Sequence, residues 1–245
     1  MRTARRRIER ITAALEAAYG VPAHRRSRDL IGGLVETILS QNTTDLNSGR
    51  AYLALRERFA DWDDVRRADV RSIESAIRGG GLARTKAGRI KKILSGIHAE
   101  SGALDLSSLR RLTTDEVFEY LLSLDGVGMK TAACVALFDL HREVMPVDTH
   151  VHRVVGRLGV AGHPKTPEAT FKAMRPLVPE GASLSLHINL IRLGRNVCRP
   201  REPRCPDCPV ARECEHGRSM RSSAGRSPGS RARSRKPASD PPEMA

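Results

Sequence analysis

The chain has 245 residues, of which 42 are lysine or arginine and 28 are aspartate or glutamate, so its formal net charge is 42 − 28 = +14. This length suits one large domain or two small ones, and the 40% of hydrophobic residues can form a core. No apolar run reaches the roughly 18 residues of a membrane span, and acidic residues interrupt the basic N-terminus. We therefore expect neither a membrane protein nor a secreted one, but a cytoplasmic, nucleoid-associated protein with an anionic partner such as nucleic acid.

Amphipathic patterns predict one helix after another along the body of the chain. Ser27 is placed to cap the first of the patterned segments, Thr113 and Glu116 form a capping box, and Thr166-Pro167 opens a further helix. The predicted helices cover residues 27–41, 45–59, 64–78, 115–124 and 129–140. Alternating strand patterns are absent from the sequence, so the predicted fold class is all-α.

Residues 217–245 differ in composition from the rest of the chain. They contain seven serines and four prolines but no isoleucine, leucine, valine or aromatic residue. Such a segment cannot bury enough apolar surface to offset the entropy of ordering, which predicts a disordered tail. Its seven basic and two acidic residues give it a charge of +5, which favours non-specific attraction to phosphates.

A glycine-rich hairpin separates two of the predicted helices. Gly126 and Gly128 flank Val127, which can point into the core and fix the angle between the helices. The helix that follows offers unpaired N–H groups at its positive end, where a phosphate can bind. The spacing alone fits a plain helix–turn–helix connector as well as a phosphate clamp.

Lys130 and Asp148 are the candidate catalytic residues. Lys130 begins a helix directly after the hairpin, where the helix dipole disfavours a cation, so a neutral, nucleophilic amine is one interpretation and a phosphate contact is the other. Asp148 precedes the helical pattern of residues 151–158. It fits a helix N-cap, and it also fits a carboxylate that stabilises a developing positive charge.

Four cysteines lie within 17 residues in the pattern C-x6-C-x2-C-x5-C, with prolines between them: Cys198, Cys205, Cys208 and Cys214. Without a secretory signal, thiolates this close together indicate a metal site rather than disulfides. Zinc and an iron–sulfur cluster both remain possible from the spacing. Arginines in the first interval would give the loop a basic edge for a phosphate backbone: Arg199, Arg201 and Arg204.

Together these motifs resemble the endonuclease III family of helix-hairpin-helix DNA glycosylases. The matching segments are the hairpin of residues 124–132, the Val147-Asp148-Thr149-His150 loop and the four-cysteine loop, in the family's order and spacing. The sequence departs from the usual hairpin at Asp125, where the family commonly has proline, and at Met129, where it has a basic residue.

The resemblance implies a two-domain organisation. An N-terminal helix over residues 1–27 would join a cluster domain of residues 144–216, and residues 28–143 would form a six-helix barrel. It further implies that Lys130 is the nucleophile, that Asp148 is the catalytic carboxylate, and that the four cysteines bind a 4Fe–4S cluster.

The resemblance also assigns DNA contacts to two other segments. The segment of residues 40–45 would supply an amide that fills the gap left by a flipped nucleotide, and either Gln41 or Asn42 fits this role. Leu82 stands where the family has an apolar wedge, although a residue packed on the core fits that position equally well. The hairpin residues Gly126, Val127 and Gly128 would hold the DNA backbone.

The implied function is a bifunctional DNA N-glycosylase and AP lyase that removes oxidised pyrimidines and cleaves 3′ of the abasic site. Its partner would be double-stranded DNA containing a damaged base or an abasic site, and we expect it to act as a monomer. One alternative is a monofunctional glycosylase for mismatched thymine or adenine. Another is a non-catalytic DNA-binding protein with a zinc loop.

Overall fold

The computed structural model of the protein describes residues 2–23 and 29–224. Within these residues every regular element is helical, and the one β-type pairing is an isolated bridge between Val160 and Gly162. The all-α prediction is therefore confirmed. The α-helices are α1 (Arg2–Tyr19), α2 (Leu30–Leu39), α3 (Asp45–Arg58), α4 (Trp62–Arg67), α5 (Val70–Ala76), α6 (Ala83–Ser101), α7 (Thr114–Ser123), α8 (Met129–Phe138), α9 (Thr149–Leu158), α10 (Pro167–Met174), α11 (Ser183–Asn196) and α12 (Glu215–Ala224).

Several predicted helix boundaries follow the capping residues that were read from the sequence. The Thr113–Glu116 capping box is present in full at the start of α7, and Thr166 caps α10 with Pro167 in its first turn. Asp148 caps α9, since its Oδ1 accepts a hydrogen bond from the Val151 amide at 2.7 Å. These local signals fix the starts of α7, α9 and α10.

Three boundaries differ from the sequence prediction. The helix predicted over 27–41 is shorter and is capped by Asp29; Ser27 lies outside the described residues. The helix predicted over 64–78 is broken, because Asp69 starts α5 as a new N-cap after α4 ends at Arg67. The prediction of disorder from residue 217 is wrong for residues 217–224, which belong to α12. Residues 225–245 lie outside the described residues.

The helices form two groups around an aliphatic core. Helix α2 is central to the first group, where it contacts α3, α6 and α8, and α7 packs on α8. In the second group, α11 contacts α1 and α9, while α10 and α12 also pack on α9. Contacts between α11 and α8 join the groups, and Phe138 at the end of α8 packs against His187 of α11.

Polar contacts attach α1 to the C-terminal part of the chain. Arg7 Nε donates to the carbonyl oxygen of Glu213 at 2.9 Å, and its Nη1 donates to the Glu215 carboxylate at 3.0 Å. Asn189 of α11 donates to the Gly20 carbonyl at 2.9 Å. Of the described helices, none has the length and hydropathy that crossing a bilayer requires.

Candidate active site

The hairpin between α7 and α8 contains two glycines that differ in backbone angle and in packing. Gly126 has φ +92°, and a Cβ on it would lie 2.8 Å from Cγ of Arg89, so both the backbone angle and the packing require glycine. Gly128 has φ −96°, and a Cβ there would meet nothing within 4 Å. Val127 is buried and fixes the turn in the core, as predicted.

The amide groups at the start of α8 are available to a ligand. Gly128 is the N-cap residue, and it has no side chain that could accept their hydrogen bonds. The first turn of α8 contains no acidic residue, so its positive end is not neutralised locally. Asp125, at the other side of the turn, forms an ion pair with Lys92 of α6.

Lys130 and Asp148 lie at the starts of consecutive helices, and both side chains are partly exposed. The positive charge of Lys130 and the negative charge of Asp148 act on the same two buried groups, the thiol of Cys134 and the imidazole of His187. Both charges therefore influence the buried groups Cys134 and His187.

The structure shows the N-cap role of Asp148, which was one of its two sequence alternatives. Its Oδ1 is occupied by the N-cap hydrogen bond, which orients the carboxylate. Among the described residues its Oδ2 accepts no hydrogen bond, so one oxygen can face a ligand while the other holds the helix.

His187 supports the Asp148 loop from behind. Its Nδ1 lies 2.9 Å from the carbonyl oxygen of Pro146, two residues before Asp148, and its ring packs edge-on to Phe138. Burial lowers the pKa of His187 to about 4, so the imidazole is neutral near pH 7 and its protonated Nδ1 donates to the carbonyl. The periodicity of α11 places His187 among apolar residues, but sequence reasoning did not single it out.

An ion pair connects the two helix groups beside Lys130. Arg195 of α11 donates to the Asp45 carboxylate at 2.8 Å and 3.3 Å. This hydrogen bond, together with the charges of Arg195 and Lys130, lowers the pKa of Asp45. Asp45 begins α3, and the segment of residues 40–45 contacts the first turn of α8 through the hydrogen bond from Gln41 to Thr131.

Gln41 and Asn42 are adjacent in sequence but have different surroundings. The Gln41 amide is held on both sides: its Nε2 donates to Oγ1 of Thr131 at 3.0 Å, and its Oε1 accepts from Arg89 at 2.5 Å. Asn42 is exposed and adopts a left-handed backbone conformation with φ +52°. Gln41 is thus engaged within the protein, whereas Asn42 projects from it.

Leu82 belongs to a turn that contacts the Asn42 segment. Leu82 has φ +49° and is 58% exposed, so it is not packed on the core. A Cβ on Gly81 would lie 3.7 Å from Oγ1 of Thr43 and 4.0 Å from the carbonyl oxygen of Asn42, so the two turns touch. Two non-glycine residues in the left-handed region, side by side on the surface, are the kind of strain that clusters at functional sites.

The four-cysteine loop follows α11 and contains only a single 3-10 turn, Cys205–Asp207, before α12. None of its cysteines forms a disulfide. Arg157 Nη1 donates to Sγ of Cys198 at 3.3 Å, and the Gly217 amide donates to Sγ of Cys214 at 3.4 Å. Burial, with smaller contributions from the other three cysteines, raises the pKa of Cys208 to about 11.

The donor set fits a metal centre by its chemistry. Neighbouring thiolates repel one another unless a cation lies between them, and N–H groups that point at sulfur are typical of iron–sulfur sites. In the described part of the chain, however, no three His, Cys, Asp or Glu side chains are close enough together to hold a metal ion. The four cysteines therefore lie in one short loop, but no three of their sulfurs are close enough together in it to bind one metal ion.

Arg199, Arg201 and Arg204 of the four-cysteine loop are exposed. Arg204 also donates to the carbonyl oxygen of Asn196 at 2.9 Å. A separate open groove of about 530 Å³ lies between α9 and α12, where His152, Arg157 and Glu215 are among its lining residues. Neither Lys130 nor Asp148 lines this groove.

Comparisons with known sequences place most of this architecture in one family. Residues 35–180 match the model of the HhH-GPD superfamily base excision DNA repair proteins. Endonuclease III of Thermotoga maritima is 32% identical over 202 residues, which are 82% of this chain and 90% of that protein. A predicted DNA glycosylase of Arabidopsis thaliana is 40% identical over 192 residues, which are 74% of this chain and 65% of that protein. The chain spans only 10% of the longer rice protein ROS1C, to which it is 34% identical.

Solved structures give the same result for the fold. A trapped covalent intermediate of endonuclease III with DNA matches with a TM-score of 0.74 and 26% identity, covering 89% of this chain and 98% of that one. A thermostable thymine-DNA glycosylase has the same fold, with a TM-score of 0.72 at 19% identity. The chain therefore belongs to the HhH-GPD superfamily of base excision DNA repair proteins and, within it, to the endonuclease III family.

Proposed function

We propose that the protein is a bifunctional DNA N-glycosylase and AP lyase that removes oxidised pyrimidines from duplex DNA. The observation that carries this proposal is the placement of Lys130 in the first turn of α8, directly after the hairpin, and of Asp148 at the N-cap of α9, with both side chains partly exposed. Covalent cleavage of a glycosidic bond needs a nucleophile, which the amine can be, and a negative charge that stabilises the developing cation, which the carboxylate can supply.

The chemistry needs a neutral amine and a stabilised cation. The nitrogen of Lys130 attacks C1′ of the deoxyribose while the bond to the damaged base breaks and its electron pair leaves with the base. The free Oδ2 of Asp148 stabilises the positive charge on the sugar and helps to deprotonate the attacking amine. The sugar ring then opens to an iminium, and loss of the 2′ proton with departure of the 3′ phosphate cleaves the strand by β-elimination.

Asn42 and Leu82 would hold the DNA open while the damaged base is outside the helix. An extruded base leaves an unpaired partner and a gap in the stack, which a polar amide and an apolar wedge can fill. The exposure of Asn42 and Leu82 supports this role for them, and the two hydrogen bonds of Gln41 leave it as a support for the turn. Gly126–Gly128 and the arginines of the four-cysteine loop would bind the flanking phosphates.

We further propose that Cys198, Cys205, Cys208 and Cys214 bind a 4Fe–4S cluster. When bound, such a cluster would cross-link the loop and hold its arginines on the DNA side. The hydrogen bonds from Arg157 and Gly217 to the cysteine sulfurs support this assignment.

Borohydride trapping tests the proposed mechanism directly. With a duplex that contains thymine glycol or an abasic site, the wild-type protein should form a covalent complex that reduction makes permanent. Lys130→Gln should abolish the complex but still bind an uncleavable abasic analogue, because the hairpin amides remain. Lys165→Gln is the matched control: Lys165 is an exposed amine before α10, and its loss should leave trapping unchanged.

Two results would contradict the proposal. If Lys130→Gln is trapped as efficiently as wild type, another amine is the nucleophile. If wild type releases a base but is never trapped, the protein is a monofunctional glycosylase, and a panel of duplexes with thymine or adenine mismatches would identify its substrate. Asp148→Asn should slow base release while leaving binding intact, since the amide keeps its shape but cannot stabilise the cation.

A further inference from the structure

Lys86 has an unusual position for a charged side chain. It lies in the first turn of α6 and is only 2% exposed. Its Nζ donates to the carbonyl oxygen of Leu39 at 2.7 Å and to that of Gly80 at 2.8 Å. Leu39 is the last residue of α2, and Gly80 ends the short 3-10 turn before α6, so one ammonium group bridges two separate chain segments.

The two bridged segments are those that continue into the exposed turns. Leu39 precedes Asn42 by three residues, and Gly80 precedes Leu82 by two. The backbone amide of Lys86 also donates to the carbonyl oxygen of Leu82 at 3.0 Å, which closes the turn from its other side. Lys86 thus contacts both turns at their bases, through its side chain and its backbone.

This arrangement is costly for folding alone. A buried cation loses its hydration, and the N-terminus of a helix disfavours positive charge. Burial lowers the pKa of Lys86, and none of the ion pairs within the described residues includes it. An apolar side chain would suit the stripe that Lys86 shares with Ile90 and Ile97, so the lysine is better explained by what its two hydrogen bonds position.

We propose that Lys86 is a positioning residue that sets the separation of the Asn42 and Leu82 turns, so that both side chains enter the duplex in register. This inference rests on the proposed function, in which those two side chains fill the gap left by the extruded nucleotide. Loss of the bridge would let the two turns move independently. The reaction would then slow only on substrates whose opposite strand must be held open.

The chain offers a matched control on the same helix. Lys91 also donates through its Nζ to two carbonyl oxygens, those of Arg66 at 2.9 Å and Ala68 at 2.5 Å. These two residues lie at the junction of α4 and α5 rather than at either turn. Lys91→Met therefore removes the same number and kind of hydrogen bonds from α6 without touching the Asn42 or Leu82 turn.

The test compares abasic-site cleavage in duplex and single-stranded DNA under single-turnover conditions. A single strand has no opposite base and no gap, so it does not need the two turns. Lys86→Met should lower the duplex rate relative to the single-strand rate by about tenfold or more. It should also weaken the fluorescence rise of 2-aminopurine placed opposite the abasic site, whereas Lys91→Met should leave the duplex-to-single-strand ratio at the wild-type value.

Lys86→Gln keeps the test decisive if Lys86→Met does not fold. Its amide can donate to one carbonyl oxygen but cannot bridge both, so the ratio should fall by roughly threefold or more. The proposal is overturned if folded Lys86 variants lower both rates equally or lower neither. It is also overturned if Lys91→Met changes the ratio as much as Lys86→Met does.

Failure of the proposed function can be distinguished from failure of the positioning proposal. Wild-type protein would then cleave neither the duplex nor the single strand. In that case affinities replace the rates in the test. The affinity for a duplex with an abasic analogue is divided by the affinity for an undamaged duplex. A fall in that affinity ratio for Lys86→Met, and not for Lys91→Met, still supports the positioning role, and an unchanged ratio overturns it.

Discussion

The hairpin with α8 and the four-cysteine loop are the two regions proposed to contact DNA or metal, and they are stabilised in different ways. Seven of the ten residues of α8 are buried in the core. In residues 197–214, only Val197, Val210 and Cys214 are buried, and the loop is held by side chains such as Arg153 and Arg157 that donate to its carbonyl oxygens. The first region is positioned by packing, whereas the second needs cross-links to become rigid.

Substitution of one cysteine should have the largest effect on stability. It tests most directly whether the four-cysteine loop depends on cross-links and the hairpin region on packing. Cys208→Ala should cost more than about 5 kcal/mol or leave the protein insoluble, since metal binding contributes directly to the folding of such loops. Thermal unfolding and iron analysis measure the effect, and anaerobically purified wild type should contain about four iron atoms per chain. Lys130→Gln, in the packed region, should unfold at the wild-type temperature.

The comparison fails if Cys208→Ala is soluble and as stable as wild type. Stoichiometric zinc without iron in the wild-type protein would instead overturn the assignment of the cluster.

Acidification should destabilise the packed region through His187. The neutral imidazole is buried in the folded state, and its pKa there is about 4, below the ordinary 6.5 of an unfolded histidine. Stability from this group is therefore complete above about pH 6.5 and decreases as the pH falls towards 4, by up to about 3 kcal/mol. Urea unfolding at a series of pH values measures the decrease.

The matched control for this prediction is His187→Gln, which cannot titrate. It should be less stable than wild type at pH 7, but its stability should change less between pH 6.5 and 4. Equal slopes for the two proteins would show that carboxylates, not His187, govern the acid sensitivity.

Substituting the two hairpin glycines one at a time separates effects on stability from effects on DNA binding. Gly126→Ala should lower the free energy of unfolding by about 1–3 kcal/mol, because its positive φ and its contact with Arg89 both disfavour a Cβ. Gly128→Ala should change stability by less than about 0.5 kcal/mol, since a Cβ there has open space. If the hairpin binds phosphate, Gly128→Ala should still weaken duplex binding; wild-type affinity would argue for a plain connector.

The smallest effect is expected from residues 225–245. They contain five basic and two acidic residues, so their removal deletes a charge of +3. Duplex affinity should fall a few-fold and depend less steeply on salt, while single-turnover cleavage at saturating protein stays unchanged. A slower cleavage step in a folded truncated protein would instead connect this segment to the active site.

The sequence predicted what depends on local signals. Thr113 with Glu116, Thr166 with Pro167, and Asp148 each mark a helix start that the structure contains, because a side chain near an unpaired amide leaves a pattern in the sequence. The break between α4 and α5 left the same kind of signal, since Asp69 accepts a hydrogen bond from the Ser72 amide. The longer apolar pattern nevertheless predicted a single helix over residues 64–78.

Contacts between distant segments could not be predicted in this way. Gln41 and Asn42 are equivalent as residue types, and only the positions of Arg89 and Thr131 distinguish them. Lys86 lies on the apolar stripe of α6, which was a signal of burial, but the two carbonyl oxygens that accept its hydrogen bonds come from other elements. The roles of Lys130 and Asp148 came from the family resemblance, and they remain predictions.

The attachment of α1 to the C-terminal part of the chain has a consequence for biosynthesis. Arg7 contacts Glu213 and Glu215, more than 200 positions later in the chain. A ribosome that adds about 5–20 residues per second leaves α1 without these partners for roughly 10–40 seconds. During that interval its apolar face of Ile8, Ile11 and Leu15 is open to chaperones or to aggregation, while α2–α8 can already assemble. In the cell, α1 can therefore complete its contacts only after the C-terminal part of the chain has been made.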